Sequence, residues 1–99
     1  MEVNTLAYVL IRHKVGSYPK WRPLFNDGDA ARKEAGAIGE PQVFRSGDDP
    51  WEVLVLIEWD ELESARQFIG FPELSNQFRA ALEQAGVTDE PTVFYLSQV

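Results

Sequence analysis

The sequence contains no cysteine and only one histidine, His13. Disulfides, thiolate metal sites and cysteine nucleophiles are therefore excluded. A single histidine without cysteine also argues against a transition-metal site within one chain. Glycine-rich phosphate loops, zinc spacings and nucleophile elbows are missing as well. We therefore predict a protein without a metal site and without a cofactor.

Basic residues and long apolar runs are scarce. Nine lysines and arginines stand against sixteen acidic residues, which gives a net charge of -7. This balance disfavours nucleic acid and anionic membrane surfaces as partners. The longest apolar stretch, residues 51–60, is too short to span a bilayer, which needs about 20 residues. Residues 1–5 lack the basic segment of a signal peptide, so we expect a cytoplasmic protein with one domain, 1–99.

The stretch 51–60 predicts the central strand of the fold. Branched and aromatic side chains of this kind favour a pleated, buried strand. Its odd positions form one unbroken apolar face: Trp51, Val53, Val55, Ile57 and Trp59. Its even positions are apolar in the middle, at Leu54 and Leu56. A strand that is apolar on both faces must be covered on both sides.

The remaining pattern predicts the order βαββαβ. The other strands are expected at 5–15, 40–46 and 92–98. The first helix is expected at 18–35 with a kink at Gly28. The second begins at Asp60, with Glu63 as its capping-box partner, is interrupted at 70–72 and ends at Gly86. Right-handed crossovers and a central hairpin then give an α+β, ferredoxin-like sheet of order 4-1-3-2, with both helices on one face.

The opposite sheet face predicts a homodimer. It would carry six large apolar side chains, at Tyr8, Leu10, Leu54, Leu56, Phe94 and Leu96. Such a patch is too apolar for a soluble monomer. The simplest cover is the same face of a second chain, packed sheet on sheet about a two-fold axis. Arg12 and Lys14, on the same face, are expected to pair with Glu52 or Glu58.

The segment from Ile57 to Phe68, followed by 71–74 and Phe78, resembles the antibiotic-biosynthesis monooxygenase superfamily of dimeric α/β-barrel proteins. The opening residues 10–15, with Tyr18 and Trp21, look like its small cyclase-like subgroup. The resemblance implies a homodimer with a ligand pocket between helices and sheet. Cofactor-free oxygenation of polyphenols, polyketide cyclisation and haem degradation all occur on this fold. Many relatives carry histidines in the second helix, where this chain has Phe68 and Glu73, which argues against chemistry that needs them.

A candidate site is predicted at the end of the first strand. His13 lies there on the face of Val9 and Ile11, and antiparallel pairing brings it beside the start of the third strand. The residues expected to converge there are His13, Tyr18, Trp21, Arg45 and Trp51. Histidine is the natural general acid or base near neutral pH. Inward-facing aromatic residues would line the rest of a ligand site: Phe25, Trp59, Phe68 and Phe78.

Two functions remain open on these residues. The first is binding of a small, largely apolar aromatic ligand, with cofactor-free oxygenase or cyclase-like activity in which His13 is catalytic. The second is a non-catalytic dimeric ligand carrier or interaction module, in which His13 is a hydrogen-bonded strand-end histidine and the tryptophans are packing residues. Haem binding through His13 is a third alternative. Whether the protein is an enzyme is therefore left open.

Overall fold

The computed structural model describes residues 6–70 and 91–99. In chain order these residues form four strands and three helices: β1 (Ala7–Lys14), α1 (Tyr18–Asp27), α2 (Asp29–Ala35), β2 (Ala37–Arg45), β3 (Glu52–Trp59), α3 (Leu62–Gly70) and β4 (Thr92–Ser97). The predicted interruption at 70–72 falls partly, and the predicted helix end at Gly86 wholly, outside the described residues.

The four strands form one antiparallel sheet of order β2-β3-β1-β4. This is the predicted order 4-1-3-2 read from the other edge, and β3 and β1 are the two central strands. Their register pairs Ala7 with Trp59 and His13 with Val53. The prediction of an α+β, ferredoxin-like fold is therefore confirmed.

The first helix differs from the single helix predicted over 18–35. It ends at Asp27, and α2 starts at Asp29. The backbone N–H of Gly28 donates to the Phe25 carbonyl at 3.2 Å, whereas the Gly28 carbonyl accepts from Arg32 at 3.0 Å. Gly28 therefore closes one helix and opens the next, and the predicted kink is a complete break.

Strand β2 starts three residues earlier than the predicted range 40–46. Its pairing with β3 shifts register between Ile38 and Gln42. Gly39 lies in this interval with a φ of 69°, and Pro41 has no N–H to donate. An irregular ladder of this kind is tolerated at a sheet edge, and β2 is an edge strand.

The start of α3 is fixed by a contact with the end of α2. The Asp60 backbone N–H donates to the Gly36 carbonyl at 2.9 Å. The Asp60 carboxylate accepts from the neighbouring N–H of Glu61 at 2.6 Å. The predicted capping box with Glu63 is not observed, because the Asp60 N–H and carboxylate have these other partners.

The two faces of the sheet have different surroundings. The face toward the helices is buried and forms the core with Trp21, Phe25 and Ala65. The opposite face, called the open face below, carries the six predicted apolar side chains; Phe94 is 43% exposed and Leu96 40%. Arg12 Nε lies 3.4 Å from Glu52 Oε1 on this face, as expected, whereas Lys14 Nζ pairs with Asp49 at 3.3 Å instead of a glutamate. None of the described helices is long and apolar enough to cross a membrane.

Candidate functional site

One row of the sheet brings two of the predicted site residues together. His13 and Arg45 both pair with Val53, from opposite sides of β3. Helix α1 follows β1 after a short turn, and the Ser17 hydroxyl accepts a hydrogen bond from the Lys20 N–H at 3.4 Å. This N-cap starts the helix beside the same row, which places Tyr18 and Trp21 at this end of the sheet.

His13 is buried in an apolar environment. Its side chain lies on the helix-facing side, the residue is 4% exposed, and its ring centroid is 5.4 Å from that of Trp21. Neither ring nitrogen has a hydrogen-bond partner within the described part of the chain. Burial lowers the pKa of His13 to about 4. The imidazole is therefore neutral at pH 7, with one nitrogen free to donate a hydrogen bond and the other free to accept one.

A row of aromatic rings runs along α1 from this histidine. The Tyr18 and Trp21 rings are 5.8 Å apart, and the Trp21 and Phe25 rings are stacked at 5.0 Å with an interplanar angle of 18°. Their spacing of three and four residues places them on one helix face. We call Tyr18, Trp21 and Phe25 the aromatic row.

Arginines stand at both ends of the aromatic row. The Arg45 guanidinium lies 4.7 Å from the Tyr18 ring centroid. Arg22 Nη1 donates a hydrogen bond to the Tyr18 hydroxyl at 3.2 Å. At the other end the Arg32 guanidinium lies 4.1 Å from the centroid of Phe25. The two distances from a guanidinium to a ring centroid are those of cation–π contacts.

Arg32 was not predicted as a site residue. It is only 8% exposed, and its Nε and Nη2 atoms have no hydrogen-bond partner among the described residues. The sequence does contain a signal for this position. Trp21, Phe25 and Arg32 follow one another at helical spacing, so they share one stripe of a helix. A buried charge is rare in proteins unless it is paired, and Arg32 Nη2 lies 3.8 Å from Asp29 Oδ1.

Two further predicted ligand-binding residues meet at the other end of the sheet. The ring centroids of Trp59 and Phe68 are 5.7 Å apart. Trp59 is buried, and its indole Nε1 has no acceptor within the described residues. Buried indole N–H groups usually have a partner, so this is a second unfilled hydrogen-bonding position on the helix-facing side.

Of the remaining predicted site residues, Trp51 is exposed. Trp51 is 58% exposed in the turn before β3. Its backbone N–H donates to the Asp49 carboxylate at 2.9 Å. That hydrogen bond, with help from Lys14 at 3.3 Å, holds the pKa of Asp49 below its usual range. Phe78 lies outside the described residues.

The described residues contain no group of three or more side chains able to hold a metal ion. The buried polar groups without a partner among these residues are nitrogens of His13, Arg32 and Trp59, on an otherwise apolar face. Such groups can orient a ligand by hydrogen bonds. This arrangement suits recognition of an aromatic molecule that carries a few oxygen atoms.

Solved structures share this architecture. A monooxygenase from the gene ActVA-Orf6 of Streptomyces coelicolor, in complex with nanaomycin D, matches with a TM-score of 0.69 and 16% identity over 97% of this chain and 89% of its own. SnoaB, a cofactor-independent oxygenase from Streptomyces nogalater, matches with a TM-score of 0.66 and 17% identity over 98% and 97%. A structure of an antibiotic biosynthesis monooxygenase matches with a TM-score of 0.66 and 14% identity over 94% and 98%.

By sequence, no model of a known protein family and no curated protein matches the chain. The likeness to the solved structures covers nearly the whole of each chain, and it agrees with the resemblance in the segment from Ile57 to Phe68. The chain therefore has the ferredoxin-like fold of the antibiotic-biosynthesis monooxygenases.

Proposed function

We propose that the protein binds a small, largely apolar aromatic ligand between its helices and its sheet. The observation that carries this proposal is the environment of His13, whose two ring nitrogens lack partners among the described residues although the residue is 4% exposed. Leaving a buried polar group unsatisfied costs about 1–3 kcal/mol. A ligand hydroxyl or carbonyl against the aromatic row would remove that cost.

The proposed chemistry is cofactor-free oxygenation, with a cyclase-like reaction as its variant. Support comes from the fold shared with a cofactor-independent oxygenase and with a monooxygenase that holds nanaomycin D. In the balanced reaction a phenol with a ring C–H para to its hydroxyl reacts with O₂. One oxygen atom enters the ring as the second carbonyl of a quinone, and the other leaves as water.

His13 is the proposed catalytic residue of this reaction. A neutral imidazole accepts the hydrogen bond of the phenol and takes its proton as the ring is oxidised. Burial disfavours an isolated imidazolium, as the low pKa of His13 indicates. A phenolate formed next to it would offset this effect, because an opposite charge at hydrogen-bond distance favours the charged imidazole.

Binding and turnover are tested separately. A panel of polyphenols is titrated while tryptophan fluorescence is followed, because Trp21 lies in the aromatic row. Oxygen consumption is then measured with each compound that binds. We expect saturable binding of planar phenols and oxygen uptake with at least one of them. The absence of a fluorescence change with every compound would contradict the proposed ligand class.

The second candidate is a non-catalytic ligand carrier on the same fold. Phe68 favours it, because it occupies a position where many relatives carry a histidine, and it packs on Trp59 instead. A variant His13→Leu distinguishes the two candidates. A carrier would bind its ligands without oxygen uptake in either form, whereas an oxygenase would lose turnover in the variant.

We also propose that the active form is a homodimer that buries the open face. In addition to the six apolar side chains named above, this face carries Phe44, which is 51% exposed. An apolar patch that extends over all four strands is characteristic of an interface. The matching face of a second copy would cover it sheet on sheet, with the Arg12–Glu52 pair at the margin.

A further inference from the structure

Arg32 is a buried cation with unfilled hydrogen-bonding capacity. Nε and Nη2 form one edge of its guanidinium, and both lack a hydrogen-bond partner among the described residues. Asp29 Oδ1 is 3.8 Å from Nη2, beyond hydrogen-bond distance. The other oxygen of Asp29 is taken by Lys33 Nζ at 3.1 Å. The ion pair therefore leaves this edge of the guanidinium without an acceptor in the described part of the chain.

The ion pair with Asp29 leaves the Arg32 guanidinium without hydrogen-bond acceptors at Nε and Nη2. Arginine keeps its charge in proteins, although burial lowers the pKa of Arg32 and Asp29 offsets only part of this effect. The contact with the Phe25 ring at 4.1 Å stabilises the cation but supplies no hydrogen-bond acceptor. Buried charges in proteins are usually both paired and hydrogen-bonded, because the hydrogen bonds replace the lost hydration.

The position of Arg32 relative to His13 relates it to the candidate site. His13 contacts Trp21, Trp21 stacks on Phe25, and Phe25 contacts Arg32, at successive separations of 5.4, 5.0 and 4.1 Å. An uncharged polar group and a cation thus stand at the two ends of the Trp21–Phe25 stack. A planar molecule lying along the stack would meet one group at each end.

We propose that Arg32 recognises the carboxylate of an aromatic acid whose hydroxyl lies at the His13 end. This inference rests on the proposed function and names its ligand class. A carboxylate presents two oxygens in the plane that matches the two donors of one guanidinium edge. The aromatic body of the acid lies between these two groups, beside Trp21 and Phe25. The ligand is therefore an extended hydroxyaryl carboxylic acid with its two polar groups at opposite ends.

Three probes with the same ring system test this assignment. The first is a hydroxynaphthoate whose hydroxyl and carboxylate lie at opposite ends of the ring system, the second is its methyl ester, and the third is naphthol. Dissociation constants are measured by tryptophan fluorescence and by calorimetry. Charge-assisted hydrogen bonds predict that the acid binds about tenfold to a hundredfold more tightly than the ester.

Four variants identify the group responsible. Arg32→Gln should remove the preference for the acid over the ester, and Arg32→Lys should restore part of it. Gly28→Ala displaces the guanidinium without removing it, because the added Cβ would lie 2.8 Å from Nη1. It should weaken binding of the acid and leave that of the ester unchanged. Lys20→Gln, at an exposed residue of α1, is the control for the change in net charge and should behave as the wild type.

Gly28→Ala also guards against a folding defect in Arg32→Gln, because Gly28 has a φ of -84°, which alanine adopts without strain. Equal affinity for acid and ester in the wild type would overturn the role of Arg32 and leave the proposed function standing. If both Arg32→Gln and Gly28→Ala still bound the acid more tightly than the ester, the carboxylate would belong to another cation. That result would also overturn the role of Arg32. Failure of all three probes to bind, while compounds of the polyphenol panel bind, would overturn the aromatic-acid assignment alone.

Discussion

The imidazole of His13 lies 5.4 Å from the indole of Trp21, with the two rings tilted by 53°. This contact joins the sheet to the first helix, and it places a titratable group against an apolar wall. The protein therefore carries a polar side chain whose burial has no compensation within the described structure. Its consequences for stability and for binding can be measured independently.

The buried histidine predicts a specific loss of stability in acid. Its pKa is about 4 in the folded protein and 6.5 in the unfolded chain. Between these values the unfolded chain binds more protons, so the free energy of unfolding falls as the pH decreases from 6.5 to 4. The full effect is about 3 kcal/mol by the linkage relation. Urea unfolding of the wild type across this range measures it.

His13→Leu is the variant that isolates this effect. It replaces the imidazole by an apolar side chain and removes both unpartnered nitrogens. We expect the difference in stability between variant and wild type to grow as the pH falls from 6.5 to 4, and to be constant above pH 7. At pH 7 the variant should be as stable as the wild type or more stable. A pH-independent difference would show that His13 titrates normally and is therefore hydrated.

The open face predicts self-association that depends on apolar contact. Leu56→Lys places a charge at the centre of the sheet, between Leu10 and Gln42 in the register. We expect the wild type to sediment as a dimer at micromolar concentration and the variant as a monomer of 11.2 kDa. Lys20→Glu, on the exposed side of α1, is the control and should remain dimeric. A wild-type monomer would contradict the proposed homodimer.

Much of the fold was predictable because the pattern of β1 and β3 determines it. Their alternation gives the two faces, and antiparallel pairing then fixes His13 opposite Val53. The pairing of β2 with β3 places Arg45 in the same row, so part of the candidate site followed from topology. The break at Gly28 was harder to predict, because an interior glycine weakens a helix without showing whether it ends there.

The side-chain environment was less predictable than the backbone. Trp51 alternates with the buried residues Val53, Val55 and Ile57, yet it lies in an exposed turn before β3. Alternation gives the face of a residue, whereas its burial also depends on what covers that position. Arg32 shows the reverse case. Its place on the apolar stripe indicated burial, but its charge led to no site prediction, since an arginine at such a position usually extends to solvent.

The three tryptophans should differ in access to solvent. Trp51 is 58% exposed, whereas Trp21 is 2% and Trp59 1% exposed. We expect acrylamide to quench one fraction of the fluorescence efficiently and to leave the rest largely unquenched. Trp51→Phe should remove the accessible fraction and shift the emission to shorter wavelength. Trp21→Phe, the matched control, should leave the accessible fraction in place.

Alanine is expected to destabilise the protein at position 36, where the chain has Gly36. Its φ is 127°, outside the range that residues with a side chain adopt easily. A Cβ there would also lie 2.6 Å from Asp60 Oδ1, against the residue that leads into α3. Gly36→Ala should therefore lower the free energy of unfolding by about 1–3 kcal/mol, as expected for backbone strain. Gly47→Ala is the control, because a Cβ at that position would have no described neighbour within 4 Å. Urea unfolding compares the two variants, and equal stabilities would show that Gly36 and Asp60 are not in close contact in solution.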